Sequence, residues 1–237
     1  MADGLYVALS GAVAQEAALD TSAHNLANAQ TPGFQRARAV FSEVLAGQAS
    51  TTHYTQVAET ALDTTPGALE VTGRPLDAAL PEGQYLAVQT PAGERYTRAV
   101  HLTIGDQGTL MAGSAPAMGE GGGPITVSRE GGPIALTRQG DVTQDGAVVG
   151  RLRVVSFGQA RSLAREGSNV LAATAASGAA QVATASLEVG AIEQSNTQAV
   201  TAMTDLVSIT RNFDAFQRAI DAFRTIDQKV IDNVVGG

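Results

Sequence analysis

Few side chains in this sequence stand where they could do chemistry together. The three histidines, His24, His53 and His101, lie in separate segments, and none has a second histidine or a carboxylate at metal-ligand spacing. Gly119 to Pro124 is glycine-dense like a phosphate-binding loop, but it lacks the Lys-Ser/Thr pair of a P-loop and no helical pattern follows it. Asp141 with Asp145-Gly146 echoes a calcium loop without its ligand pattern or its twelfth-position Glu, so a hairpin turn is the expectation there. Ser10-Gly11 falls inside a helical run, not at a strand-to-helix elbow. The chain has no Cys, which removes thiol nucleophiles, cysteine zinc sites and disulfides together. No nucleophile, acid–base pair or metal cage emerges, and the expectation is a non-enzymatic protein with no cofactor and no small-molecule substrate.

The elements that would have to position any such site argue for assembly instead. The 237 residues allow one large or two modest domains. Hydrophobic types make up 44% of the chain, yet 42 of these residues are alanine and only 4% of the chain is aromatic, so bulky core-filling side chains are scarce. A formal charge of −8 disfavours nucleic acid and anionic membrane surfaces as partners. No run of about 18 apolar residues offers a membrane insertion, and the opening Met-Ala-Asp-Gly-Leu-Tyr lacks the basic and apolar regions of a secretory signal. Any export is therefore expected to proceed without a cleaved signal peptide.

Leu5, Leu9, Ala12, Leu19, Ala23 and Leu26 recur at three- and four-residue steps, which predicts an N-terminal amphipathic helix over 1–30, with Gly4 and Gly11 its only breakers. Thr31-Pro32-Gly33 stops it, because proline disfavours helix in the residue before it and glycine permits the turn, and Phe34 follows as an anchor. A connecting region of partial order is expected over 31–75. The clearest periodicity is C-terminal: Leu206, Ile209, Phe213, Phe216, Ile220 and Phe223, continued by Asp227, Val230 and Val234, form a heptad seam within a helical segment placed at 188–237. Ser195-Asn196-Thr197 offers capping chemistry near its start. A helix of about 40 residues would reach roughly 60 Å, more than a domain of this size can bury, so part of the seam calls for partners.

Between the ends, over 76–187, short Val-, Thr-, Leu- and Ile-rich runs alternate with turn signals such as Asp106-Gln107-Gly108, Gly131-Gly132-Pro133 and Asp145-Gly146. The fold class is therefore α+β: terminal helices that pair as a coiled coil around a β-rich antiparallel middle domain, small and sandwich- or barrel-like. The small-residue stretch 172–185 reads as a surface loop.

The segment His24-Asn25-Leu26-Ala27-Asn28-Ala29-Gln30-Thr31-Pro32-Gly33-Phe34 closely resembles the N-terminal signature of bacterial flagellar rod and hook proteins, which runs Asn-Leu-Ala-Asn-x-x-Thr-Pro-Gly-Phe. Leu5 to Ala12 resembles the opening of the family's proximal rod members. Leu187-Glu188, Glu193 to Asn196, Arg211 to Phe216 and Thr225 to Asp227 resemble its C-terminal region, and Ala87 to Gly93 with Tyr96-Thr97-Arg98 its first β motif. Gln84-Tyr85-Leu86 and Ala99 to Leu102 depart from that motif.

The resemblance implies a structural subunit of the flagellar basal-body rod, located where the rod crosses the periplasm and exported by the flagellar type III apparatus. Its partners would be neighbouring proximal and distal rod subunits. Leu206, Ile209, Phe213, Phe216, Ile220 and Phe223 would form the assembly seam with Leu5, Leu9, Leu19 and Leu26. Asn25, Leu26, Asn28, Thr31, Pro32, Gly33 and Phe34 would fix the turn that leaves the helical layer. A distal rod or short hook-type subunit, and a helical adaptor outside the flagellum, are the alternatives.

Overall fold

The computed structural model describes residues 2–45, 53–167 and 169–235. Its architecture is α+β, and the chain divides into two compact units: Met1–Ala27, Ala37–Ala61 and Gln198–Gly237 form a helical unit, while Asn28–Arg36 and Leu62–Thr197 form a β unit.

In the helical unit, α1 spans Ala2–Ala27 and α2 spans Ala199–Val235, about 39 and 55 Å at 1.5 Å per residue. They run antiparallel, since Gly4 lies under the Phe223 ring, Gly11 under the Phe216 ring, and the Ser22 hydroxyl donates to the Ala202 carbonyl. Two glycines expected only as helix breakers are therefore points of close approach between the helices. A Cβ at Gly11 would stand 2.4 Å from the Phe216 ring, and one at Gly4 would stand 2.8 Å from that of Phe223. Both pairs are seven residues apart, so one heptad of α1 offers small surfaces to one heptad of large rings on α2. Ala8, Ala12 and Ile220 are the buried centre of this contact, with Leu5, Phe213, Phe216, Ala219 and Phe223 packed around it.

The remainder of the helical unit is a pair of strands, Ala37–Leu45 and His53–Leu62. They occupy much of the stretch read as a connecting region of partial order; the Gln- and Thr-rich composition after Leu45 concealed the second strand. The expected helical segment over 188–237 also needs correction. Its first residues are the strands Glu188–Val189 and Ala191–Glu193, paired antiparallel with Asp77–Ala79 and Leu69–Val71, and α2 begins only at Ala199. Glu193 is drawn inward to a buried cation, which places that segment in a sheet.

All strand pairs of the β unit are antiparallel. The strand Gln84–Thr90 lies inside a six-stranded sheet between Gly93–Thr97 and Val154–Ser156; a five-stranded sheet contains Asp77–Ala79, Val100–Ile104 and Leu110–Ala112. Leu86, Val88, Leu102, Leu110, Val142, Leu152, Val154 and Leu187 form the centre of one continuous core. Each such side chain taken from water contributes about 1.5–3 kcal/mol.

The Asp145-Gly146 turn is where the sequence placed it, whereas the chain turns at Arg129-Glu130, ahead of Gly131-Gly132-Pro133. Asp145 and Gly146 both take positive φ and join Asp141–Gln144 to Ala147–Arg151, as an Asp-Gly hairpin turn requires. Gly119 to Pro124 closes on itself, the Gly119 amide donating to the Gly123 carbonyl and that of Gly122 to Gly119. The Glu120 amide leaves the loop and donates to the Arg151 carbonyl. The stretch 172–185 is not wholly a surface loop: Ala172 ends one strand, Gln181–Val182 is another, and Ser177 is buried, its hydroxyl donating to the Thr174 carbonyl.

Candidate assembly site

The signature turn is built from local polar bonds and then fastened to the β unit. At the end of α1 the Asn25 side chain takes both backbone groups of Ala37, its amide donating to the carbonyl at 2.8 Å and its oxygen accepting from the N–H at 2.9 Å. An asparagine thus serves as the terminal strand partner that starts Ala37–Leu45. Within the turn, the Thr31 amide donates to the Asn28 carbonyl, the Thr31 hydroxyl to the Asn28 side chain, and the Phe34 amide to the Thr31 carbonyl. Gly33 takes φ +67°, and a Cβ there would lie 2.4 Å from the Ala99 backbone nitrogen, so dihedral and space both demand glycine.

The turn is fastened at its glycine and its phenylalanine. The Gly33 amide donates to the Glu193 carbonyl at 2.7 Å. The Glu193 carboxylate accepts from the Gly67 amide and from the Arg98 guanidinium, through Nε at 2.8 Å and through Nη2. Arg98 spends its other donors on the carbonyls of Leu80, Pro81 and Gln84. Both side chains of this ion pair are essentially fully buried. Only an arginine carries enough fixed donors to satisfy that many acceptors at once.

Phe34 is buried beneath Arg165, whose guanidinium stands 4.3 Å from the ring centroid and also donates to the Gln35 carbonyl. Burial pulls the Arg165 pKa down to about 10. The Tyr85 hydroxyl donates to the Gln35 side chain, and burial raises its pKa.

Of the three residues expected to offer capping chemistry, Asn196 does something else. Asn196 accepts from the Arg36 amide at 2.6 Å and donates to the carbonyls of Asp63 and Thr65, both at 2.9 Å, while its own amide donates to the Phe34 carbonyl. Beside it Arg36 holds Asp63 through two nitrogens at 2.8 Å. Burial pushes the Asp63 carboxyl up, but bonds from Thr65 and Arg36 outweigh this and hold it at about 2. The chain passes between its units four times, at 27/28, 36/37, 61/62 and 197/198. Arg36, Asp63 and Asn196, all within the β unit, form this polar clasp.

The expected seam residues have a common direction with one exception. Ile220 is buried; Leu5, Leu19, Leu26, Leu206, Ile209, Phe213, Phe216 and Phe223 are half-buried. Leu9 is 48% exposed and stands with Tyr6 and Val13 on the outward side of α1. One flank of the seam is open as a groove of about 430 Å³ lined by Gln15, Asn212, Ala215, Phe216 and Ala219. The side chains of Asp227, Val230, Val234 and His53 lie outside the described residues.

Sequence reasoning missed the clasp residues Arg98, Glu193, Asp63 and Arg165. Arg98 and Glu193 are 95 positions apart and carry no spacing signal. The available hint was that both stand in segments carrying the family resemblance, Tyr96-Thr97-Arg98 and Glu193 to Asn196. It also missed that His101 Nδ1 stands 2.7 Å from the buried Asp77 carboxylate, which accepts from the Thr72 hydroxyl as well. Among the described residues no three His, Asp or Glu side chains converge to hold a metal, and no helix is long and apolar enough to cross a membrane.

Comparison with known proteins bears on both halves of the clasp. Residues 5–35 match the family model described as flagella basal body rod protein, and residues 188–233 match that of the flagellar basal body rod FlgEFG protein C-terminal region. The flagellar basal-body rod protein FlgF of Salmonella typhimurium is 34% identical over 236 residues, covering 93% of each chain, and FlgF of Mesorhizobium japonicum is 31% identical over 217 residues, covering 90% of each. The chain belongs to the flagellar basal-body rod protein family. The Bacillus subtilis rod protein FlgG is 27% identical over 264 residues, with nearly full coverage of both chains. The rod family's two matched segments are the ones that meet here, Gly33 on Glu193 and Phe34 on Asn196.

Proposed function

We propose that the chain is a structural subunit of the bacterial flagellar rod, of the proximal FlgF type, with no catalytic role. The observation that carries this is the clasp: the N-terminal signature and the C-terminal family segment, 160 positions apart, are bonded to each other where the chain enters and leaves its helical unit. Both matched segments are thereby held in one polar cluster within the β unit. The FlgF relatives, at 31 and 34% identity against 27% for FlgG, favour the proximal type.

In this reading α1 and α2 pair as a short antiparallel coiled coil, and the half-buried seam with its open groove is covered by neighbouring rod subunits. Burial of that surface offsets the entropy of ordering the helices. The β unit forms a small sandwich-like outer body. The protein travels through the flagellar type III apparatus and assembles across the periplasm. Phe216→Asp places a carboxylate on the seam at Gly11; the β unit is expected to fold normally while the subunit no longer appears in isolated basal bodies. Normal motility and normal incorporation of that variant would overturn the proposal.

A further inference from the structure

The signature turn is also held from the middle of the chain. Ala164–Arg165 is an edge strand of the six-stranded sheet; it pairs with Leu171–Ala172, whose Leu171 lies opposite Tyr96. The Glu166 amide donates to the Val170 carbonyl and closes the two strands into a hairpin. Three of its side chains reach away from it. The Arg165 guanidinium covers the Phe34 ring and donates to the Gln35 carbonyl, and the Asn169 side chain donates to the Pro32 carbonyl at 3.4 Å. Glu166 turns to the strand Gly93–Thr97 and accepts from Arg95 twice, from Nε at 2.6 Å and from Nη2 at 3.0 Å. Hairpin, turn and Arg95 all belong to the β unit. The hairpin lies outside the two segments that match the family models.

We infer that this hairpin is a strap that holds the signature turn in its bent form, with Arg165 and Asn169 as positioning residues and the Arg95–Glu166 pair as the latch that keeps the strap down. The inference rests on the rod-subunit reading in one respect, that incorporation into the rod draws on an ordered signature turn. A half-buried guanidinium over a ring has given up part of its hydration. Arg165 therefore gains water by swinging outward, and its cover of Phe34 needs a fastening from elsewhere. The latch supplies that fastening: a forked arginine–carboxylate pair fixes direction as well as distance, and Glu166 is the residue next to Arg165. The outer strand of the hairpin has a strand partner on one side only, so the strap opens as a local event while the enclosed core stays folded. Its opening is also sensitive to salt, because Glu166 is 46% exposed and solvent screens the pair.

Hydrogen exchange on the full chain reads the strap, since the Gly33 and Phe34 amides are bonded donors of the turn; the Leu102 and Leu110 amides, bonded to the Leu76 and Ile125 carbonyls, are the control. Glu166→Arg sets two cations together and is expected to speed exchange at Gly33 and Phe34 about fivefold, with the two controls unchanged. Arg95→Glu is expected to do the same. Glu166→Arg and Arg95→Glu in one chain re-form the latch with its charges exchanged and return exchange to within about twofold of native. Raising salt to about 0.5 M narrows the gap between native and Glu166→Arg. Unchanged exchange at Gly33 and Phe34 in Glu166→Arg, no recovery in the double variant, or equal acceleration at Leu102 and Leu110 would each overturn the strap. In isolated basal bodies Glu166→Arg is expected to be depleted and the double variant to be present at the native amount; full incorporation of Glu166→Arg despite its faster exchange would overturn the part given to the strap in assembly. If the native chain is itself missing from basal bodies while the exchange results hold, the rod-subunit reading falls and the strap stands.

Discussion

The two units of this chain solve the same problem with opposite materials. In the β unit, Leu86, Val88, Leu102, Leu110 and Val142 are completely enclosed, and a deep ion pair, Arg98 with Glu193, has its remaining donors and acceptors met by backbone. In the helical unit Ala8, Ala12 and Ile220 form a small buried cluster, the phenylalanines around it are half-covered, and Tyr6, Leu9, Val13, Val200, Met203 and Val207 face outward. The first is finished within one chain. The second has long helices joined by glycine and alanine against aromatic rings, with apolar surface still on offer. Scarcity of bulky side chains is thus a local property, concentrated where α1 has to let α2 approach closely.

The strongest way to break this contrast is to attack the β unit at its clasp. Glu193→Ala leaves the Arg98 guanidinium buried without its counter-ion and removes the acceptor of the Gly67 amide. Loss of one partner of a buried pair costs about 3–5 kcal/mol, a large share of the about 5–15 kcal/mol of a typical domain, so the urea midpoint of the β unit is expected to fall markedly. A midpoint unchanged within error would show that the pair is dispensable and that the β unit is not the self-sufficient half. Next in size is a change confined to the helices. Gly11→Leu drives a side chain into the Phe216 ring, an overpacking that costs about 1–3 kcal/mol, while the helical backbone gains about 1 kcal/mol from losing a glycine. Amide protection over α1 should drop, with the β-unit transition unmoved; a coupled shift of both would show that the two units unfold as one.

Legibility followed the same division. The 3–4 stripe of α2 and the Thr-Pro-Gly stop after α1 are local signals: the stripe lies within α2 and the turn follows α1, although α2 starts at Ala199 and not at 188. The strands at Glu188–Val189 and Ala191–Glu193 were misread as helix because their short alternation is decided by tertiary partners: Ala191 and Glu193 point inward, and Glu193 does so to reach Arg98. Gly4 and Gly11 looked like breakers for a similar reason, since a glycine's value as a contact surface depends on a ring more than 200 positions away in the chain. Asn196 carried a capping signature that was chemically correct, an amide side chain with free donors and acceptors, but its partners are Arg36, Asp63 and Thr65 and not the helix start. Side-chain chemistry was visible throughout; which backbone it would meet was set by contacts of long sequence separation.

The smallest effect concerns the rim of the clasp and sharpens the contrast by pH. Asp63 has its carboxyl lowered from 3.8 to about 2 by Thr65 and Arg36, against the opposing pull of burial. A depressed folded-state pKa means that the unfolded chain takes up the proton first. The stabilisation is therefore complete above about pH 4 and is lost as pH falls through about 2. Arg36 is one-third exposed, so solvent screens the pair and its worth is about 1 kcal/mol. Urea midpoints of the β unit measured between those pH values should fall more steeply in the native chain than in Asp63→Asn, with the two converging at the acid end. Amide protection of α1 in the Asp63→Asn chain should show no change in its acid dependence, because Asp63 acts on the junction strands and not on the Gly11–Phe216 contact. Parallel acid curves for the two chains would mean that the Arg36–Asp63 bond contributes nothing to the clasp, leaving Asn196 to hold the junction through its bonds to Arg36, Asp63 and Thr65 backbone alone.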